Sequence, residues 1–506
     1  MKRAKITLDP AFSIGEIDRK LYGSFLEHLG RAVYTGVYEP GHPSADEQGF
    51  RQDVLELVRE LRVPIVRYPG GNFVSNYDWK EGIGPKNERP SRLDLAWHSI
   101  ESNEVGVNEF AAWCELAETE LMLAVNLGTR GVEAARDLVE YCNFPGGTYW
   151  SDLRASHGVK EPHEVKIWCL GNEMDAPWQI EHKTATEYGR LAAETAKAMR
   201  RVDESIELVA CGSSNSEMPT FGEWEATVLE HTYEDVDYIS LHHYYEDVEG
   251  DLDSFLASAL SMDEFIGSVV ATCDYVKAKK RSRKRLNLAF DEWNVWERTK
   301  FKRGPRWPWS EAPRLLEDVY SLADALVVGS LLITLLNHAD RIKIACQAQL
   351  VNAIAPIMTE PGGPAWRQTI FYPFAHASRF GRGTVLRVEP ESPLHDTAAF
   401  GPTPLLEATA TLDEDRRELT VFAVNRDRQD SLTLTGDLRA FSGYRVEEHV
   451  ILTDQDAYAS NTLEDPDRVR PRSKSDAKEV DGTLEVELPP LSWNVIRLTH
   501  HRGTGM

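Results

Sequence analysis

The chain has 506 residues, too many for one ordinary domain, and this length fits a barrel followed by a smaller domain. Hydrophobic residues make up 42% and charged residues 27%, which is an ordinary balance for a globular protein. The formal charge is −25, from 81 acidic and 56 basic residues, and such a chain repels phosphate backbones. We therefore expect no nucleic-acid partner.

The N-terminal residues MKRAKITLDPAFSIGEID contain no apolar run of signal-peptide length, so the expected location is the cytoplasm. The most apolar long stretch, residues 319–336, is interrupted by Asp324 and lies between two strand patterns. We predict a buried barrel helix there, and no membrane span. The six cysteines are scattered without a CxxC pair, which indicates reduced, buried thiols and no disulfide or zinc framework.

Short apolar runs alternate with longer amphipathic stretches through the first three quarters of the chain. Continuous apolar strands that alternate with helices are typical of parallel strands buried on both faces. Eight such runs predict an α/β fold, a (β/α)8 TIM barrel somewhat enlarged by loops. The predicted barrel strands lie in residues 21–25, 64–70, 121–128, 164–172, 206–214, 236–244, 286–294 and 341–349.

The pattern changes after about residue 380, where short segments alternate apolar and polar side chains at a period of two. This alternation predicts a C-terminal antiparallel β-sandwich domain. Residues 3–8 have the pattern of one more strand, which would join the sandwich from the N-terminal side. We therefore expect a (β/α)8 barrel in residues 17–378, and a jelly-roll-like β-sandwich formed by residues 1–16 and 379–506.

Carboxylates stand at the ends of two predicted barrel strands, where the reactive groups of such barrels lie. The fourth strand ends at Glu173 and the seventh at Glu292. Burying an unpaired carboxylate is costly, so its presence after an apolar run needs a reason. A salt bridge or a helix N-terminal acid explains either residue alone equally well. Two of them at one face of one barrel favour a catalytic pair.

Glycoside hydrolysis needs such a pair, because an acid protonates the leaving oxygen while a carboxylate attacks the anomeric carbon. Amide, carboxylate and guanidinium groups at other strand ends suit sugar hydroxyls, and rings such as Trp97 and Trp296 suit the apolar face of a sugar. Each of these residues taken alone has an ordinary structural explanation. His242 and His243 are adjacent and point to opposite faces of a strand, so we expect no metal site.

Five strings resemble family 51 of the glycoside hydrolases, the α-L-arabinofuranosidases: FLEHLGR, VRYPGGNFVSNYDW, GNEMDAPWQ, FDEWNVW and PPLSWNVIRL. GNE and DEWN are weak signals alone, but with RYPGGNF in this order and spacing they are highly specific. The resemblance covers essentially the whole chain. It implies a retaining, exo-acting enzyme that removes terminal α-L-arabinofuranosyl residues from oligosaccharides and polysaccharides by double displacement. The carboxylate pair does the bond chemistry, so we expect no cofactor and no metal.

The resemblance also implies a role for each matching residue. Glu173 matches the acid/base, Glu292 the nucleophile, and Asn172 the residue that binds the sugar 2-hydroxyl. Tyr244 matches a tyrosine close to the nucleophile, and Trp296 an aromatic wall near the entrance. The remaining matches line the arabinose pocket: Glu27, Arg67, Asn72 and Gln349. Members of this family are often hexamers built from dimers, so the resemblance implies a homo-oligomer.

The main alternative is another retaining enzyme of the same clan, an endo-β-glucanase or a β-xylosidase, whose fourth and seventh strands would end alike. Glu27, Asn72 and Gln349 favour an exo-acting furanosidase over these. A second alternative is a carbohydrate-binding protein with an inactive barrel, but both glutamates are present. The third, a nucleotide-dependent oxidoreductase, is disfavoured because no GxGxxG motif follows the first strand.

Overall fold

The computed structural model describes residues 2–303 and 307–500. Within these ranges, eight parallel strands close into a barrel in which each strand pairs with the next and the eighth pairs with the first. The (β/α)8 barrel predicted from the sequence is confirmed, with strand ends that differ from the predicted runs by a few residues. The strands are β1 (Gly23–Phe25), β2 (Ile65–Tyr68), β3 (Glu120–Ala124), β4 (Ile167–Leu170), β5 (Glu207–Ala210), β6 (Tyr238–Tyr245), β7 (Asn287–Val295) and β8 (Ile342–Ala348).

Helices follow the barrel strands and cover them with one apolar face. In helix Gln52–Leu61 the buried positions Val54, Val58 and Leu61 recur at helical spacing, and the helix ends at Arg62, whose φ is 54°. The remaining α-helices are Val107–Ala117, Val132–Asn143, Tyr149–Ser156, Ala185–Val202, Glu223–Thr232, Leu252–Leu256, Ala259–Lys280, Arg298–Arg303, Leu322–Asn337 and Phe371–Phe380. Short 3-10 helices lie at Arg19–Tyr22, Asn72–Asn76, Trp79–Gly82 and Lys86–Glu88.

Helix Leu322–Asn337 packs between the barrel and the C-terminal sheet. It is buried along nearly its whole length, as predicted for this apolar stretch. At Gly329 the ring of Trp493 comes so close that a Cβ atom there would lie 2.6 Å from it. Across the described ranges, no helix has the length and apolar character that crossing a membrane requires. All six cysteines lie in these ranges, and each is a buried free thiol.

Two further sheets pack face to face around a core of their own. One sheet has seven strands and antiparallel pairing, in the order Ser13–Glu16, Thr384–Leu386, Leu406–Asp413, Glu418–Asn425, Ser492–His500, Tyr444–Thr453 and Arg472–Lys474. The other has four strands, in the order Lys2–Thr7, Leu432–Asp437, Thr483–Leu488 and Lys478–Val480. Hairpins elsewhere pair Arg92–Asp94 with Ser99–Glu101, Ile357–Thr359 with Ala365–Arg367, and Leu394–Thr397 with Gly401–Pro404.

The N-terminal strand Lys2–Thr7 belongs to the smaller of these sheets. It pairs in parallel with Leu432–Asp437, while Ala4 and Ile6 are buried in the core between the two sheets. We propose that residues 1–16 and 379–506 form one domain, which packs against the barrel domain of residues 17–378.

Ile6→Ala should lower the free energy of unfolding by about 2–5 kcal/mol, because it removes a fully buried side chain from the sandwich core. Lys5→Ala is the matched control on the same strand, since the Lys5 side chain is 51% exposed, and it should change stability by less than about 0.5 kcal/mol. Urea unfolding followed by tryptophan fluorescence measures both. If Ile6→Ala changed the free energy of unfolding as little as Lys5→Ala does, this strand would contribute nothing to the core.

Candidate active site

The two predicted catalytic glutamates meet at the mouth of the barrel. Glu292 lies within β7, and Glu173 follows β4 in a left-handed backbone conformation with a φ of 44°. One carboxylate oxygen of Glu173 lies within 4.8 Å of one of Glu292. Retaining glycosidases hold their carboxyl groups about 5–5.5 Å apart, while inverting enzymes need about 6.5–9.5 Å for an intervening water. The separation therefore matches the retaining geometry.

Glu292 is held from two sides by hydrogen-bond donors. Arg67 Nη1 donates to Oε2 at 3.0 Å, and the Tyr244 hydroxyl donates to Oε1 at 2.6 Å. Burial raises the pKa of Glu292; the positive charges of His242 and Arg67 oppose this, whereas the nearby Glu173 adds to it. The two donors orient the carboxylate, and their hydrogen bonds favour its ionised form, which a nucleophile needs.

Arg67 connects strands from different parts of the barrel. Besides Glu292, its guanidinium lies 3.1 Å from Asp291 on β7, and Nη2 donates to the Asn172 side-chain oxygen at 2.6 Å. Asn172 in turn donates from Nδ2 to Asn72 Oδ1 at 3.4 Å. Arg67 is 1% exposed, so this network is shielded from solvent.

Asp291 and Glu292 are adjacent in sequence, yet both contact Arg67. Regular alternation along a strand would send them to opposite faces. The pairing of β7 with β8 shifts register between Phe290 and Trp293, and such an irregularity re-aims neighbouring side chains. The sequence alone predicts only Glu292 of this pair as a site residue, because a register shift leaves no mark in the apolar pattern.

Glu173 is held by one buried and one exposed partner. Its Oε1 lies 3.1 Å from His242 Nδ1, and its Oε2 accepts a hydrogen bond from Trp178 Nε1 at 2.7 Å. His242 Nε2 lies 3.2 Å from Asp291 Oδ1, so the ring is clamped between two carboxylates. The sequence assigned no role to His242 beyond its place at a strand end, and it did not single out Trp178.

His242 carries the second positive charge of the site. Burial by itself lowers the pKa of this imidazole, but the three surrounding carboxylates together raise it to about 10. At neutral pH the ring therefore holds a proton on both nitrogens and donates to Glu173 and Asp291. In the sequence, the signal for this residue is its place near the end of the sixth predicted strand, and its pairing with Glu292 across β6 and β7 appears only in the structure.

Three side chains of the site are close enough to one another to hold a metal ion. One ligand atom each from Glu173, His242 and Glu292 lie within 4.8 Å of one another. A metal, however, needs the imidazole unprotonated, and the raised pKa of His242 favours a proton at that position. The protonation of this cluster therefore favours a role in acid–base catalysis over metal binding.

A further carboxylate of the site belongs to Glu27. It accepts hydrogen bonds from the Phe73 backbone at 2.9 Å, from Trp97 Nε1 at 2.9 Å, and from Gln349 Nε2 at 3.3 Å. Gly71 has a φ of 35°, and a Cβ atom there would overlap the Glu27 carboxylate, so only glycine fits. Burial raises the pKa of Glu27 to about 8, and the charge of Glu292 adds to the shift.

Aromatic rings border the mouth of the site beside Glu292. The half-buried Trp296 lies edge-on to Tyr244, with 5.1 Å between ring centroids, and the tilted ring of Phe301 lies 5.8 Å from it. Through these contacts, the structure connects the residues that the sequence assigned to the site: Glu27, Arg67, Asn72, Asn172, Glu173, Tyr244, Glu292, Trp296 and Gln349. Their individual roles stay predictions.

Comparisons with known proteins point to one family. The chain matches the family described as the α-L-arabinofuranosidase 1 domain over residues 57–252, and the α-L-arabinofuranosidase C-terminal domain over residues 291–492. A solved structure of a family 51 α-L-arabinofuranosidase from Bifidobacterium longum superposes with a TM-score of 0.94 at 47% identity, covering 98% of this chain and 99% of that one. The chain belongs to glycoside hydrolase family 51.

Curated relatives agree with this assignment to family 51. A protein from Halalkalibacterium halodurans is 60% identical, covering 98% of this chain and 99% of its own length. A Bacillus subtilis protein is 58% identical, covering 98% and 99%. Both relatives are named intracellular exo-α-(1→5)-L-arabinofuranosidases.

Arg67→Lys should lower kcat/KM for glycoside hydrolysis by about a hundredfold or more in this family 51 chain. A lysine lacks the planar fork and cannot contact Asp291, Glu292 and Asn172 together, and each lost charged hydrogen bond is worth about 1.5–3 kcal/mol. Steady-state kinetics measures the loss.

Arg51→Lys is the matched control for this substitution. Arg51 is equally buried and pairs with Glu39 and Asp53, but it takes no part in the site. It should reduce thermal stability while leaving kcat/KM unchanged. If both variants lost activity in proportion to lost stability, the account of Arg67 would be wrong.

Proposed function

We propose that this chain is a retaining, exo-acting α-L-arabinofuranosidase that hydrolyses terminal α-L-arabinofuranosyl residues of arabinose-containing oligosaccharides and polysaccharides. The observation that carries the proposal is the pair Glu173 and Glu292, brought within 4.8 Å at the ends of β4 and β7. The family of the chain and the names of its relatives support arabinofuranose as the sugar that is released. The alternatives of an endo-β-glucanase or a β-xylosidase are not favoured, because those relatives are exo-arabinofuranosidases.

In the first half-reaction, Glu292 attacks the anomeric carbon while Glu173 protonates the departing glycosidic oxygen. The carbon–oxygen bond to the leaving group breaks, and an ester bond between the sugar and Glu292 forms. Arg67 and Tyr244 keep the Glu292 carboxylate aimed during this attack. The leaving sugar departs with the proton that Glu173 gave up.

In the second half-reaction, a water molecule takes the place of the leaving group. Glu173, now ionised, accepts a proton from this water, whose oxygen bonds to the anomeric carbon as the ester bond breaks. Arabinose is released, Glu292 returns as a carboxylate, and Glu173 is again protonated. Two inversions at one carbon restore the original configuration.

The pocket residues are assigned to holding the sugar. We assign to Asn172 a hydrogen bond to the 2-hydroxyl, which strengthens in the transition state, while Arg67 fixes the side-chain oxygen of Asn172. Glu27 and Gln349, which contact each other, offer acceptors and donors to the other hydroxyls, and Asn72 and Trp296 complete the pocket. Together these residues suit the binding of a single terminal sugar, which is what an exo-acting enzyme requires.

The names of the relatives extend the proposal further. Both are called intracellular, which supports a cytoplasmic enzyme acting on oligosaccharides, and both are named for the α-1,5 linkage. We therefore propose linear α-1,5-linked arabino-oligosaccharides as substrates, within arabinan breakdown. The family resemblance also implies a homo-oligomer, a hexamer, which sedimentation velocity would test.

Glu173→Ala and Glu292→Ala should behave differently. Loss of the nucleophile Glu292 should abolish turnover of every substrate. Loss of Glu173 should reduce kcat/KM least for 4-nitrophenyl α-L-arabinofuranoside, because 4-nitrophenolate can leave without being protonated, and by about 10²–10⁴-fold for an arabino-oligosaccharide. Azide should partly restore turnover in the Glu173 variant by attacking the glycosyl-enzyme.

The control for substrate class is the same kinetics on 4-nitrophenyl β-D-xyloside and on a soluble β-glucan. The wild-type enzyme should prefer the arabinofuranoside over both. A preference for the xyloside or the glucan would contradict the proposed activity and would support a β-xylosidase or an endo-β-glucanase. Equal losses in both variants on all leaving groups, without azide rescue, would contradict the two roles.

A further inference from the structure

Asp94 is a buried carboxylate without a counterion. It is 3% exposed, and within residues 2–303 and 307–500 no lysine, arginine or histidine forms an ion pair with it. Burial raises the pKa of Asp94 to about 7, although three hydrogen bonds to its oxygens lower it. Burying a carboxylate without an opposite charge is costly, so its presence at this position needs a reason.

The oxygens of Asp94 hold the turn of the hairpin formed by residues 92–101. Oδ1 accepts a hydrogen bond from the Ala96 backbone N–H at 3.0 Å. Oδ2 accepts from the Trp97 backbone N–H at 3.2 Å and from Ser99 Oγ at 3.1 Å. An aspartate that accepts hydrogen bonds from the backbone that follows it is a common arrangement in turns. The reason for the buried carboxylate is therefore the shape of this turn.

One residue of the turn has a strained backbone. His98 has a φ of 53°, in the left-handed region that residues other than glycine seldom adopt. Such a conformation persists only where the surrounding structure imposes it. Asp94 accepts hydrogen bonds from Trp97 before His98 and from Ser99 after it, and Trp307 Nε1 donates to the His98 carbonyl at 3.1 Å. The carboxylate thus spans the strained residue and helps to hold it.

The turn places the indole of Trp97 on the carboxylate of Glu27. Trp97 Nε1 donates to Glu27 Oε1 at 2.9 Å, and the indole is almost completely buried. The backbone N–H of the same tryptophan is the group that donates to Asp94. The position of the indole on Glu27 therefore depends on Asp94, which fixes the backbone of the residue that carries it.

Glu27 needs this donor because its burial opposes its charge. Burial raises the pKa of Glu27 to about 8, whereas the hydrogen bonds from the Phe73 backbone and the Trp97 indole lower it. An ionised carboxylate accepts hydrogen bonds at both oxygens, and these bonds are stronger than those of a neutral acid. Loss of the indole therefore weakens the acceptor that Glu27 offers to a sugar hydroxyl.

We propose that Asp94 is a positioning residue of the sugar pocket, which acts through Trp97 on Glu27. This inference rests on the proposed function, in which Glu27 binds hydroxyls of the arabinofuranosyl residue. Asp94 affects how tightly the sugar is bound, whereas the making and breaking of bonds stays with Glu173 and Glu292.

A double-mutant cycle tests this route. Asp94→Ala removes the carboxylate that holds the turn, Trp97→Phe keeps a ring but removes the indole N–H, and the double variant combines both changes. Steady-state kinetics on 4-nitrophenyl α-L-arabinofuranoside gives KM and kcat for each protein. Asp94→Asn keeps one acceptor oxygen, and it replaces Asp94→Ala in the cycle if the alanine variant does not fold.

Each single substitution should raise KM about ten- to a hundredfold, the size expected for one lost hydrogen bond to a charged group. It should leave kcat within about threefold of wild type, because Glu27 binds the sugar both before and during the reaction. The double variant should lie within about threefold of Trp97→Phe alone, since Asp94 then has no indole N–H to place. Asp94→Asn should give the same pattern with a smaller rise in KM.

Asp427→Ala is the matched control. Asp427 is also a buried carboxylate that accepts hydrogen bonds from a turn, from the backbone N–H groups of Gln429 and Asp430 at 3.0 Å each. It pairs with Lys2 and lies in the sandwich, away from the site. This substitution should lower the melting temperature and leave KM and kcat unchanged.

An effect of the Asp94 substitution that persists at full size in the Trp97→Phe background would overturn the inference, since Asp94 would not act through the indole. KM values within threefold of wild type in the Asp94 variants would also overturn it. So would losses in KM and kcat that both follow the melting temperature, as expected for a residue that only stabilises the fold.

Failure of the proposed function would give a different result. The wild-type enzyme would then hydrolyse another glycoside and no arabinofuranoside. The same cycle, run on the glycoside that it does hydrolyse, would still test whether Asp94 acts through Trp97.

Discussion

One buried guanidinium determines the arrangement of the whole site. Arg67 on β2 reaches across the barrel to Asp291 and Glu292 on β7 and to Asn172 after β4, none of which lies on a neighbouring strand. Removing one partner of such a buried pair costs about 3–5 kcal/mol, because it leaves an uncompensated charge. The interaction therefore holds the nucleophile and the sugar-binding amide at a fixed spacing.

The two glutamates acquire different roles because their surroundings differ. Both side chains are equally buried, but Arg67 and Tyr244 both donate to Glu292, which suits a carboxylate that attacks carbon. Glu173 instead lies between the protonated His242 and the exposed Trp178, which suits a group that gives up and takes back a proton. The same residue type thus serves as nucleophile and as acid/base, as is common in glycosidases.

The barrel and the catalytic pair could be predicted from the sequence. Continuous apolar strands alternating with helices predict the barrel, and carboxylates at the ends of those strands point to Glu173 and Glu292. Other features depend on tertiary structure. The register shift that turns Asp291 toward Arg67 leaves no mark in the apolar pattern. Trp178 lies on a loop whose fold is set by backbone hydrogen bonds, and the charge of His242 comes from three carboxylates distant in sequence.

The central claim is that Glu292 forms a bond with the sugar. It is supported by one oxygen of Glu173 and one of Glu292 that lie within 4.8 Å of each other, closer than the carboxyl spacing of inverting enzymes. Proton NMR of the first-formed arabinose, recorded before mutarotation, tests this most directly. The account predicts that α-L-arabinofuranose appears first, because two inversions retain the configuration. If β-L-arabinofuranose appeared first, Glu292 would act as a base through water, and the account would be wrong.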